Sequence, residues 1–305
     1  MDVGKSATTI LQDATKRMSQ VSKGPISQMS DAEFDQWADL LRDRTGMELP
    51  VERKSFLETS IGLRMQEIGV KSMDDYRSVL DSGINGELEW KYLIDRLTVH
   101  ETRFFRHTAS LEVIRRYISE KPVDPKTGAV TVQVWSAGCS TGEEAYTLAM
   151  TIDQAMAQRP ENSYFGIVAT DISLPSIKVG RKGIYSARRL QNIETSLKED
   201  YFTPLDDGRY QVIDRIRKRV CFTPLNMLDT SDNTLGKVDI IFCQNVLIYF
   251  DKGRRFQIVD GLAEHLNPGG LLILGSGELL NWGHPAMRKL ENPDTLAYRW
   301  VSANE

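Results

Sequence analysis

The sequence predicts an α/β protein: a small all-α domain, then a parallel, doubly wound sheet, with an antiparallel β element inserted late. Three observations predict it. Residues 30–97 repeat apolar positions at helical spacing behind capping pairs. Beyond residue 129, apolar strands alternate with helical stretches at the spacing of βαβ units. Within 201–222, Asp206-Asp207-Gly208 stands between Tyr201-Phe202 and Tyr210-Gln211-Val212, breaks that rhythm and reads as a β-hairpin.

The elements follow in order. Residues 1–29, rich in Ser, Thr, Lys and Gln, read as a flexible arm. Ser30 and Glu33 form a capping box before Phe34, Trp37, Leu40 and Leu41, and Gly46 ends that helix. A second helix fits 52–67, with Phe56, Leu57, Ile61 and Met65 on one side. Ser72 and Asp75 cap a third before Tyr76, Val79 and Leu80; a fourth starts near Glu87 and carries Leu93, Ile94 and Leu97. Residues 98–125 read as a linker, and 126–305 as the second domain. There Val130, Val132 and Val134 alternate as a strand, a helix runs from 143 to about 158, and a second strand over 165–170 ends at Asp171. Strands at 238–243 and 271–274 flank a helix at 252–265, and 295–300 closes the sheet.

The 305 residues are 41% hydrophobic and 26% charged, ample for a globular core. The net charge, 38 − 42 = −4, disfavours general nucleic-acid binding, which depends on neutralising phosphates. Apolar runs such as 271–274 are too short to span a bilayer, and Met1–Lys5 lacks a basic-then-apolar leader profile. Three widely spaced cysteines, Cys139, Cys221 and Cys243, read as reduced thiols, so the expectation is a soluble cytoplasmic protein.

Ser136-Ala137-Gly138-Cys139-Ser140-Thr141-Gly142-Glu143-Glu144 joins the first strand to its helix, and its small residues let backbone approach a ligand. Besides an ordinary tight turn, it fits two templates. Gly138 to Gly142 spells the G-x-S-x-G nucleophile elbow, with Asp239 and His265 or His284 as partners on order alone. It also fits a nucleoside-binding turn, for which Asp171 supplies the acid at the second strand end. Glu143 and Glu144 at the helix start oppose a phosphate, and a cationic, phosphate-free ligand with a ribose suits the site better. S-adenosylmethionine has those features. His107, His265 and His284 have no ligand-like spacing and read as surface or core residues.

Five ordered segments carry a family resemblance: Thr102-Arg103-Phe104-Phe105-Arg106, Trp135 through Glu144, Ala169-Thr170-Asp171-Ile172, Pro224-Leu225-Asn226, and Ile241 through Phe250. Together they resemble the CheR family of chemotaxis protein-glutamate O-methyltransferases over about residues 30–300. The resemblance implies a class I (Rossmann-like) S-adenosylmethionine-dependent methyltransferase fold, S-adenosylhomocysteine as product, and no metal. It implies methylation of glutamates on the cytoplasmic helical hairpin of chemoreceptors. By position it puts Thr102 and Arg106 near the reacting groups, and Ala137 and Glu143 along the glycine turn, Glu143 facing the methionine ammonium. It gives Asp171 the ribose, Asn226 and Met227 the adenine, Gln244 and Asn245 the closing edge, and Tyr249 the transferred methyl. Arg106 and Tyr249 are its catalytic candidates. His100, also at the cofactor, and Gln244 depart from the family's usual Asn and Arg.

The resemblance also implies a basic receptor-facing surface, here Arg53, Lys54 and Arg64, joined by the edge Arg215-Ile216-Arg217-Lys218-Arg219 on the inserted hairpin. Because that insert is short, the expected enzyme works without tethering to a receptor C-terminal pentapeptide. It is expected to be monomeric and to resemble the type IV pilus, PilK-like branch. A degenerate module that binds cofactor without turnover, and the serine hydrolase, are the rival readings.

Overall fold

The first helix begins where its capping pair predicts. In the computed structural model, which describes residues 29–98, 100–230, 235–292 and 294–301, the Glu33 carboxylate accepts from the Ser30 backbone N–H, and Ser30 Oγ accepts from the Glu33 N–H. This reciprocal cap opens α1 (Asp31–Thr45). The arm expected over 1–29 lies, Met29 apart, outside the described residues. A 3-10 turn at Val51–Arg53 leads into α2 (Lys54–Ile68), which ends on Gly69 at φ 77°. Ser72 caps α3 (Met73–Leu80) by accepting from the Asp75 N–H, and α4 (Ile84–Leu97) follows.

The chain divides into two compact units, one of residues up to Asp39 with Leu49–Leu97, the other of Leu40–Glu48 with Thr98 onward. The first has a core that includes Leu57, Ile61, Tyr76, Trp90 and Leu93. Its cations do not form the open basic surface expected of them. Arg64 holds both Glu89 oxygens at 2.7 Å and Glu67 at 2.7 Å, Lys54 pairs with Asp31, and the Arg53 guanidinium lies over the Phe56 ring. The Glu89 carboxylate also accepts from the Tyr76 hydroxyl at 2.8 Å.

In the second unit, the stretch 98–125 expected as a linker carries a helix, α5 (Thr108–Glu120). Leu111, Ile114, Tyr117 and Ile118, three or four residues apart, bury its apolar face and make it part of the core. Then come β1 (Ala129–Ala137), α6 (Glu143–Ala157), β2 (Asn162–Asp171), α7 (Leu174–Lys182) and β3 (Ile184–Ser186). They are followed by α8 (Thr195–Tyr201), β4 (Phe202–Pro204), β5 (Arg209–Val212), α9 (Asp214–Arg217) and β6 (Val220–Pro224). Last are β7 (Val238–Cys243), α10 (Lys252–Glu264), β8 (Leu266–Leu274), β9 (Met287–Lys289) and β10 (Leu296–Trp300).

The main sheet has the order β6-β2-β1-β7-β8-β10-β9. Its first five strands are parallel; β10 runs antiparallel to β8 and β9 antiparallel to β10, so the sheet is mixed rather than wholly parallel. Strand alternation sends Val132, Val134, Ile240 and Phe242 into one apolar cluster, and Trp135, Ile241 and Cys243 into another on the opposite face. The inserted element differs from its expected span of 201–222. It is a three-stranded antiparallel sheet, β3-β5-β4, that starts at Ile184, whereas Val220–Pro224 leaves it to pair in parallel with β2. The three residues of β3 are too few to show a periodicity. Among the described residues no helix is long and apolar enough to cross a membrane.

This topology locates a ligand crevice. From β1 the chain winds outward to β2 and β6, while β7 and β8 wind the other way, so the strand order reverses between β1 and β7. The carboxyl ends of strands at such a reversal leave an open crevice.

Candidate active site

The crevice is shaped by the turn after β1. Gly138 has φ 83°, and a Cβ there would fall 2.2 Å from Val246 Cγ2, so only glycine lets this turn meet the loop after β7. The Gly138 and Cys139 N–H groups donate to Thr170 O at 2.8 and 2.9 Å, locking the turn to the end of β2. Asp171 completes the joint. Its Oδ2 accepts from the Ser140 N–H at 2.7 Å and its Oδ1 from the Ser173 N–H at 2.8 Å.

A cavity of about 400 Å³ lies here, lined by His100, Thr102, Arg106, Asp171, Asn226, Met227, Gln244, Asn245 and Tyr249 among others. The His100 ring contacts Ser176 Oγ at 3.1 Å and Thr98 Oγ1 at 3.2 Å, and Arg106 Nη1 donates to Glu101 O at 2.8 Å. Asn226 caps a 3-10 turn by accepting from the Leu228 N–H and donates to Arg44 O at 2.9 Å. Gln244 Nε2 donates to Ser110 Oγ and Leu274 O, while its buried Oε1 has no hydrogen-bond partner. Tyr249 sits on the turn Leu247–Tyr249, whose last carbonyl accepts from the Glu48 N–H.

Two of the candidates are not in the cavity wall. Ala137 is fully buried at the end of β1. Glu143 is also buried, its Oε2 accepting from Thr141 Oγ1 at 2.6 Å and its Oε1 lying 3.2 Å from Arg189 Nη1. The neighbouring Glu144 lines the cavity instead, accepting from Ser136 Oγ at 2.7 Å. Its enclosure pushes its carboxyl up to about 8. Burial also raises the carboxyls of Glu143 and Glu278. Sequence reasoning passed over Glu144 as a liner, and over His107, which lines the cavity with Nε2 2.8 Å from Asn245 Oδ1. A contact across 138 positions leaves no trace in local spacing.

These features fit S-adenosylmethionine. Desolvation outweighs the Ser136 hydrogen bond and the Arg106 charge at Glu144 in the cavity wall, so a cation there would favour its ionised form, acidic residues at the first turn of α6 disfavour a phosphate, and Gln244 Oε1 is an acceptor without a protein partner. Among the described residues no group of His, Cys, Asp and Glu is placed to hold a metal ion.

The hydrolase reading fails on geometry. Ser140 Oγ is buried without a hydrogen-bond partner, Asp239 is held by Lys121 and the Gln133 N–H, and His265 faces the carbonyls of Gly236 and Thr230. His284 instead packs on Trp282. The basic run at 215–219 is likewise no open hairpin edge. It lies on α9 and the turn into β6, with Arg215 on Asp153, Arg217 on Asp214, and Arg219 reaching Phe165 O.

Comparison with known proteins agrees with this architecture. Residues 100–295 match the CheR methyltransferase SAM binding domain, and residues 32–98 the CheR methyltransferase all-alpha domain. Chemotaxis protein methyltransferase 2 of Vibrio cholerae is 33% identical over 254 residues, covering 83% of this chain and 87% of that protein. A chemotaxis protein methyltransferase of Borreliella burgdorferi is 30% identical over 81% of this chain and 88% of its own length. Chemotaxis protein methyltransferase Cher2 of Pseudomonas putida is 32% identical over 82% and 90%.

Proposed function

The chain belongs to the CheR methyltransferase family, and from that premise we propose that it methylates glutamate side chains of chemoreceptors, leaving glutamyl methyl esters. One observation carries the reading: the enclosed carboxyl of Glu144 in the wall of a cavity at the β1/β7 reversal, where a cation is favoured and a phosphate is not. S-adenosylmethionine, when bound, supplies a methyl group activated on a sulfonium, with S-adenosylhomocysteine as product.

The residues then have distinct work. Asp171 accepts from ribose hydroxyls, Asn226 and Met227 border the base, and Gln244 and Asn245 close the cavity, with His100 and Thr102 at its opposite edge. Ala137 and Glu143 support the wall from behind, Glu143 fixing the turn through Thr141 and Arg189. Arg106 orients the acceptor carboxylate, and Tyr249 bounds the space it enters. A glutamate with a pKa of about 4.3 is already ionised at neutral pH, so no general base is required. The protein contributes alignment, and Arg106→Ala is expected to lower turnover by about 100-fold, the scale of a misplaced reactant. The short turn joining β4 to β5 supports recognition without a receptor-tail pentapeptide. We place the reaction in the cytoplasm, carried out by a monomer.

The test incubates the protein with methyl-labelled S-adenosylmethionine and cytoplasmic fragments of chemoreceptors. Label that maps to glutamate by mass spectrometry supports the reading. Tight cofactor binding with no label in any fragment would leave a binding module in its place.

A further inference from the structure

Beside the cavity runs a groove of about 740 Å³, lined by Arg103, Arg106, Arg188 and Arg189 against a single carboxylate, Glu101. Four arginines stand here against Glu101 and, behind Arg189, the Glu143 carboxylate, which leaves 4 − 2 = +2 in this wall, in a chain whose net charge is −4. Glu101, Thr102, Arg103 and Arg106 line both hollows, so the groove opens onto the cavity at the segment that carries Arg106.

The groove is held in shape. Arg188 and Arg189 stand on the 3-10 turn Ala187–Leu190 that comes after β3. Arg189 Nη1 donates to Thr102 O at 2.8 Å and pairs with the buried Glu143, which ties that turn to the rim of the cavity. Arg103 and Arg188 are exposed, and neither has a carboxylate partner among the described residues. Other arginines of the chain are neutralised internally: Arg209 by Asp207, Arg215 by Asp153, Arg217 by Asp214, and Arg64 by Glu67 and Glu89. Arg103 and Arg188 thus stand open beside the mouth of the site.

We infer that this groove receives an acidic segment of the substrate protein, and so selects the acceptor glutamate by the carboxylates that flank it. The inference rests on the methyl-transfer reading above. Guanidinium groups bind carboxylates bidentately, which suits them to fix orientation as well as charge. On a helical substrate, a carboxylate one turn from the acceptor lies about 5.4 Å along the axis, on the same face as the acceptor.

Two fluorescein-labelled helical peptides test it. One carries glutamates one turn to either side of a central glutamate; in the other the flanking residues are glutamine. The wild-type protein is expected to prefer the first by about tenfold at low ionic strength, a preference that salt erodes. Arg188→Glu, on an exposed turn outside the cavity, is expected to abolish the preference and leave calorimetric binding of S-adenosylhomocysteine unchanged. Equal binding of the two peptides by the wild type, no binding of either, or a preference that survives Arg188→Glu overturns the inference. Methyl transfer to receptor fragments separates the two claims. Transfer without a charge preference overturns the groove alone, whereas a preference without transfer supports the groove and overturns the catalytic reading.

Discussion

His107 Nε2 lies 2.8 Å from Asn245 Oδ1, a hydrogen bond that ties the residue before α5 to the loop after β7 across the cavity. Asn245 is held at φ 61°, a left-handed conformation that costs energy in any residue but glycine. The contact therefore helps keep a strained loop in place. With its oxygen occupied, the Asn245 amide group remains as the donor available to a ligand. His107→Ala is expected to weaken S-adenosylhomocysteine binding by about tenfold and to lower folding stability by about 1 kcal/mol, the worth of a partly buried hydrogen bond. Calorimetry beside thermal denaturation checks both parts.

Gly138→Ala attacks the opposite side of the same loop. The new Cβ would be strained at φ 83° and would press on Val246 Cγ2. A loss of stability of about 1–2 kcal/mol is expected from the backbone alone. Displacement of Val246, next to Asn245, is expected to lower cofactor affinity as well. Urea unfolding with and without S-adenosylhomocysteine measures the two effects, and unaltered ligand stabilisation would refute the coupling of the loops.

Glu144 predicts a pH signature. Its carboxyl rises from 4.5 to about 8 on folding, so the folded state holds a proton that the unfolded state has released between those values. The group's contribution is full below pH 4.5 and is lost as pH rises through about 8. Glu144→Gln cannot ionise, so its stability relative to wild type is expected to climb across that window by roughly 1–3 kcal/mol. Urea midpoints measured over the range check it; parallel curves for the two proteins would be the contrary result. A bound cation also favours the ionised form, so S-adenosylmethionine is expected to bind wild type more tightly as pH rises toward 8, and Glu144→Gln to lose that dependence.

Arg64 makes a prediction of another kind. It is committed to Glu89, whose side chain is only 8% exposed and also accepts from Tyr76. Arg64→Ala strands that carboxylate and is expected to cost about 3 kcal/mol, whereas Arg64→Met with Glu89→Leu costs far less because neither charge is left alone. Denaturant unfolding of the two variants decides it. A single variant of unchanged stability would return Arg64 to the open surface.

Much of this architecture was legible because its signals are local. Ser30 with Glu33 and Ser72 with Asp75 mark helix starts by satisfying neighbouring N–H groups, and the caps stand where those pairs put them. Strand β7, buried along its whole length, shows as an unbroken apolar run over 238–243 save for Asp239. Helix α5 was missed within the expected linker for want of a start signal. Its cap position, His107, makes no side-chain capping bond to mark the start, although the Leu111–Ile114–Tyr117–Ile118 spacing with Glu112, Arg115 and Arg116 between is itself a helical pattern that the linker reading passed over. Strands β3 and β9 have three residues each and exist through their partners rather than through a pattern of their own. At the site, sequence located the glycine turn and Asp171 but not which of Glu143 and Glu144 faces the cavity. Adjacent helical side chains point about 100° apart, and the rotation of α6 is set by the turn at Gly142 and its distant neighbours, Gly180 and Tyr185.

Calorimetry of S-adenosylhomocysteine with the wild-type protein and with Asp171→Asn tests the central claim, that the cavity at the β1/β7 reversal is the cofactor site. Asparagine retains one oxygen for the Ser140 or Ser173 N–H but loses the charge and an acceptor for a ribose hydroxyl. The account predicts clear binding to wild type and a weakening of about 10–100-fold in the variant, the range for hydrogen bonds to a charged group. Equal affinity in the two proteins, or no binding to wild type, would contradict it.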